Sequence, residues 1–67
     1  MKNIRVRIDP EGQEEIFPHI KTVHQLLNRL GFRSDEVLVI RGEELLTIDR
    51  FLQKDDFVII RQVASRG

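Results

Sequence analysis

Thr22-Val23-His24-Gln25-Leu26-Leu27-Asn28-Arg29-Leu30-Gly31 is the stretch on which the reading of the fold turns. Its apolar residues Val23, Leu26, Leu27 and Leu30 recur at the spacing of a single helical stripe. Thr22 has a side-chain oxygen able to accept from the orphan N–H groups of a first turn. Gly31 can take the left-handed conformation that closes a helix. The spacing therefore predicts a helix from Thr22 to Leu30, with Gln25, Asn28 and Arg29 turned to solvent.

Outward from this helix the period changes from three or four to two. On the N-terminal side, Ile4-Arg5-Val6-Arg7-Ile8 alternates β-branched and basic residues, which predicts a strand with Ile4, Val6 and Ile8 facing inward. Asp9-Pro10-Glu11-Gly12 reads as a turn. A second strand is expected over Glu15 to Ile20, with Ile16 and Ile20 as its apolar residues. Pro18 cannot donate to a ladder, so that strand belongs at a sheet edge.

On the C-terminal side, Val37-Leu38-Val39-Ile40 is a continuous apolar run, read as a strand covered on both faces. Arg41-Gly42-Glu43-Glu44 and Lys54-Asp55-Asp56 read as turns. Leu45 to Leu52 is expected to hold a brief strand and an irregular segment that packs Phe51 and Leu52. Phe57-Val58-Ile59-Ile60-Arg61-Gln62-Val63 is the last strand, and 64–67 is expected to be a flexible tail. Hairpin, helix, strand, short strand, strand is an α+β order. The simplest closure sets the last strand parallel to the first, with the helix on one face of the sheet.

Composition narrows the function classes. Sixty-seven residues make one small domain, read here as 1–63 plus the tail, with little volume for an enclosed substrate pocket. Lys plus Arg and Asp plus Glu balance at 11 each, which argues against a nucleic-acid binder. Cysteine is absent, so there is no disulfide, zinc thiolate or thiol nucleophile. No apolar run reaches the length of a membrane span, and Met1 to Arg5 does not resemble a signal peptide; the cytoplasm is the expected compartment. His19 and His24 lack the acidic or thiol neighbours of a metal site and read as surface residues. The pairs Glu14-Glu15, Glu43-Glu44 and Asp55-Asp56 read as solvated turn residues, not as an acid/base pair. Nothing in the pattern calls for a cofactor or for catalysis.

Three segments together resemble a known family. Thr22-Val23-His24-Gln25-Leu26-Leu27 is followed by Leu30-Gly31. Val37-Leu38-Val39-Ile40-Arg41-Gly42-Glu43 stands where that family often has Val-x-Val-x-Asn-Gly-Glu. Leu52-Gln53-Lys54-Asp55-Asp56-Phe57-Val58-Ile59-Ile60 stands where it often has Leu-x-x-Gly-Asp-x-Val-x-Ile. In order and spacing the chain resembles the ThiS/MoaD-type sulfur carrier proteins, and looks closer to the thiamine (ThiS) branch.

The resemblance implies a ubiquitin-like β-grasp fold, a mixed sheet of four to five strands with one main helix on one face. It also implies a carrier, not an enzyme. The carboxylate of the terminal glycine, here Gly67, would be adenylated and converted to a thiocarboxylate that donates sulfur in thiamine or related cofactor biosynthesis. The implied partners are an E1-like adenylating enzyme and a sulfur-accepting synthase of the thiazole synthase type, met by a free monomer, with no nucleic acid or membrane involved. Arg66 departs from the pattern, because the family usually ends in two glycines. A non-covalent β-grasp binding or regulatory module, of the TGS kind, and a ubiquitin-like protein modifier are the alternatives.

The last strand offers a docking face. With Val58 and Ile60 in the core beside Val37 and Val39, the residues Phe57, Ile59, Leu38 and Ile40 turn to the other face of the sheet. Arg61, with Arg5, Arg7 and Arg66, would rim it in positive charge and favour an acidic partner. The alternatives are that Leu45 to Leu52 covers part of this face, or that the phase of the strands is reversed.

Overall fold

Alternating Ile4, Val6 and Ile8 build a first strand, β1 (Asn3–Asp9), that turns back on itself into β2 (Gln13–Pro18). A computed structural model describes residues 3–63. The chain continues through α1 (Val23–Leu30), a 3-10 turn at Ser34–Glu36, then β3 (Val37–Arg41), β4 (Glu44–Leu45) and β5 (Phe57–Gln62). The strands form one five-stranded sheet in the order β2-β1-β5-β3-β4. The last strand is thus central. It lies parallel to β1, and every other pairing in the sheet is antiparallel.

The helix ends are closed by the residues that the sequence offers. The Gln25 N–H donates to the Thr22 hydroxyl at 3.1 Å, and Gly31, at φ 82°, donates its N–H to Leu27 and Asn28 carbonyls. Val23, Leu26 and Leu27 are buried against the inner residues of the sheet: Ile4, Val6, Ile8, Val37, Val39, Val58 and Ile60. Phe17, Ile20, Leu46 and Leu52 complete the core from the flanks.

Two sequence expectations are corrected. The second strand is Gln13–Pro18 rather than Glu15 to Ile20, and its inward residue is Phe17; Ile16 is 62% exposed. The register with β1 explains this. Phe17 lies beside inward Ile4 and Ile16 beside outward Arg5, and adjacent cross-strand residues share a face. His19, at φ 63°, breaks the strand before Ile20, which is buried from a loop. Phe51 does not pack; it is 67% exposed. Its neighbour Leu52 takes the core position, held where the Leu52 N–H donates to the Lys21 carbonyl at 2.8 Å. In extended chain, consecutive side chains point to opposite sides, so only one of the two can be inside.

The turn before β5 is held by Asp56. Its carboxylate accepts from the Gln53 N–H at 2.7 Å and from the Arg41 guanidinium at 2.9 Å, and its carbonyl accepts from the Arg5 N–H at 2.9 Å. One residue thereby ties the ends of β1, β3 and β5. Asp55, beside it, sits at φ 64°, a region where glycine is favoured and aspartate is tolerated. Asp55→Gly is expected to raise stability by about 1 kcal/mol or less. A rise in thermal midpoint would register the relief of that conformation. A fall would show that the Asp55 side chain contributes more than its backbone conformation costs.

Candidate functional site

The side of the sheet away from α1 carries a second set of apolar residues. The strand registers assemble them into rows. Arg7 lies beside Ile59, Ile59 beside Ile40, and Ile40 beside Leu45, while Glu14 lies on the other flank of Arg7. One row therefore crosses all five strands and is apolar over three of them. Toward one end of β5, Ile16, Arg5 and Phe57 form a parallel row; toward the other end, Asp9, Arg61 and Leu38 form a third. Val58, Ile60, Val37 and Val39 are buried on the opposite side, so the phase of both apolar strands leaves Phe57, Ile59, Leu38 and Ile40 on this outer face.

The segment from Leu46 to Leu52 does not lie across this face. Its buried members Leu46 and Leu52 belong to the inner core, and Leu46 continues the β3 pairing by donating its N–H to the Val39 carbonyl at 2.8 Å. Leu45 (60% exposed) and Ile16 extend the apolar surface to both edges of the sheet. Neither is evident in the sequence as part of it. The signal is register, which places Leu45 beside Ile40 and which a two-residue strand is too short to announce by period.

Charge on the face is more balanced than a basic rim. Arg7 is paired with Asp9 by two contacts, Nε to Oδ1 at 3.1 Å and Nη2 to Oδ2 at 3.3 Å. Arg5 lies over the Phe57 ring, 5.2 Å from its centroid, and 3.8 Å from a Glu14 carboxylate oxygen. Such a cation over an aromatic face screens the ring from water and is worth about 0.5–1 kcal/mol when exposed. Arg61 differs from both: among the described residues no carboxylate lies within 4.0 Å of its guanidinium. Arg66 and Gly67 lie outside the described residues.

His19 and His24 are exposed, and among the described residues no group of three or more His, Asp or Glu side chains is arranged to hold a metal ion. No helix among those residues is long and apolar enough to cross a membrane. Open hollows lie between α1 and the 3-10 turn, along β4, beside His19 and Arg29, beside Asp9, Pro10, Arg61 and Gln62, and beside Asn3, Arg5, Ile16 and Asp55.

One helix laid on a mixed five-stranded sheet, with the last strand parallel to the first at its centre, is the ubiquitin-like β-grasp. The chain is similar to the sulfur carrier protein TtuB of Thermus thermophilus. The two are 29% identical over 58 residues, a span that covers 87% of this chain and 89% of that protein. No protein-family model matches the chain.

Proposed function

We propose that the chain is a sulfur carrier that acts through Gly67 and docks through the outer face of its sheet. The observation that carries this reading is the similarity to a sulfur carrier protein along nearly the whole domain, in a chain that folds as a β-grasp. The order of the sheet supports it: β5 is the central strand and is the last element before 64–67 in the sequence, so Phe57, Ile59, Leu38 and Ile40 lie on it and on its neighbour β3.

The chemistry asks little of the carrier. An oxygen of the Gly67 carboxylate attacks the α-phosphorus of ATP and pyrophosphate leaves. A sulfide then attacks the carbonyl carbon, AMP leaves, and the product is a thiocarboxylate whose sulfur passes to an acceptor. An adenylating enzyme supplies the groups that stabilise charge in both steps. The carrier supplies an acyl terminus with no side chain to clash in a narrow channel. In this reading the partners are an E1-like adenylating enzyme and a sulfur-accepting synthase, and thiamine or a related cofactor is the pathway; the expected tail, 64–67, lies outside the described residues.

Incubation with ATP, sulfide and the host's adenylating enzyme, followed by intact-mass analysis, tests it. The expected product is heavier by the exchange of one oxygen for one sulfur, on Gly67. No adduct, under conditions that charge a carrier ending in two glycines, rejects transfer. The second reading, a β-grasp module that binds without transferring, is favoured by one residue: Arg66, long and charged, beside the terminus. Charging of Arg66→Gly but not of the native chain would select that second reading.

A further inference from the structure

The outer face holds a charge imbalance at one end. Asp9, Arg61 and Leu38 are cross-strand neighbours, and Arg7 sits on β1 two residues before Asp9. Arg7 takes both oxygens of the Asp9 carboxylate in a partly buried pair, with side-chain exposures of 38% and 18%. Arg7 and Arg61 both neighbour this one carboxylate, and Arg7 alone holds it. At the other end Arg5 and Glu14 balance each other. Among the described residues the excess positive charge of the face is therefore local, at the C-terminal end of β5.

A hollow lies beside that charge, lined by Asp9, Pro10, Arg61 and Gln62. Arg61 is exposed and its five donors are directed by no carboxylate among the described residues. On its flank stands Leu38, 40% exposed, and beyond it the Ile59–Ile40–Leu45 row. A guanidinium bordered by aliphatic surface fits a protein partner better than a nucleic acid, whose binding face would need several cations along a backbone. Planar bidentate pairing makes a carboxylate the matching group.

We propose that the outer face recognises a partner protein that seats one carboxylate against Arg61, in the hollow beside Asp9, Pro10 and Gln62, and an apolar ridge on Ile59, Ile40 and Leu45. The inference rests on the reading that this face docks, and adds to it the chemistry and the position of the partner's charge. The carboxylate fixes the register of the partner along β5, and so the distance at which the tail meets the partner's chemistry. Arg5 and Arg7, already engaged within the domain, contribute much less.

Binding of purified variants to the host's adenylating enzyme, measured by calorimetry at two salt concentrations, tests the proposal. Arg61→Glu is expected to weaken binding roughly tenfold or more, and Arg61→Gln by less, with a shallower salt dependence in both. Arg5→Gln is expected to change it little. Thermal unfolding of the Arg61 variants should match the native chain, since the side chain is exposed. If Arg61→Glu binds like the native chain while Ile59→Lys does not bind, the face docks but the carboxylate contact is wrong. If Arg5→Gln weakens binding as much as Arg61→Gln, the charge is not localised as proposed. If the native chain does not bind this enzyme at all, the docking reading fails, and the Arg61 contact with it.

Discussion

Ile60→Ala is expected to leave a large fraction of the chain unfolded at room temperature. Ile60 is fully buried on the central strand, between Ile8 and Val39 of the two flanking strands. Truncating a buried isoleucine to alanine removes about 2–5 kcal/mol, part of it for the cavity left behind. A domain of this length holds about 3–10 kcal/mol in all, at about 0.05–0.15 kcal/mol per residue. The two quantities are of the same size, because so small a domain has a single core and no second layer to relax into. Urea unfolding followed by circular dichroism measures the loss directly. Ile60→Val, expected to lose about 0.5–1.5 kcal/mol, calibrates it. A loss below that range for the alanine variant would mean that the sheet does not depend on its centre.

Ile59→Lys, one position earlier, is expected to do the reverse: to keep the fold and remove partner binding. Ile59 is only half-buried and is flanked by Arg7 and Ile40 on the outer face. A lysine there keeps its stem on the sheet and its ammonium in water, so the expected loss of stability is about 1 kcal/mol or less. In a complex the same ammonium would be buried at the middle of the apolar row. A central interface residue of this kind commonly accounts for about 2 kcal/mol or more, a loss of roughly thirtyfold or greater in affinity. Ile59→Thr, which keeps the β-branched shape, separates lost apolar contact from introduced charge. Both are read by binding to the adenylating enzyme alongside circular dichroism. Unchanged binding by Ile59→Lys would remove the outer face from the docking reading. A collapse of its fold would show that this side of the sheet is more enclosed than its exposure indicates.

The two variants differ because consecutive strand residues point to opposite sides, and the apolar pattern of the chain already carries that alternation. Val58 and Ile60 with Val37 and Val39 read as one layer, and the registers place them so. The helix is equally legible, since Thr22, four spaced aliphatics and Gly31 all carry local information. The second strand is less so. Ile16 is the β-branched residue and Phe17 the aromatic, both suit a strand, and nothing local says which faces in. Pairing with β1 decides it. Phe51 and Leu52 present the same ambiguity in a segment with no period, and the bond from Leu52 to Lys21 resolves it.

The proposed docking residues are legible as apolar surplus, but their charge environment is not. Arg5, Arg7 and Arg61 look alike in the sequence. Only the folded chain gives Asp9 to Arg7, lays Arg5 on Phe57, and leaves Arg61 without a carboxylate among the described residues. The Arg5–Phe57 contact joins strands far apart in sequence, and although Arg7 and Asp9 are two residues apart on one strand, no periodicity says whether Asp9 pairs with Arg7 or with its cross-strand neighbour Arg61.

The sequence by itself determined the α+β order, the capped helix, the edge position of the Pro18 strand and the two-faced character of β3 and β5. Those follow from local stereochemistry and from the period of apolar residues, which the chain carries at every position. The tertiary structure decided the rest: that Phe17 and not Ile16 is inside, that Leu45 joins the outer row, and that Asp56 ties three strand ends through Arg41, Gln53 and Arg5. Each of these is a relation between segments, set by register and by the competition for a core large enough for one of two neighbours.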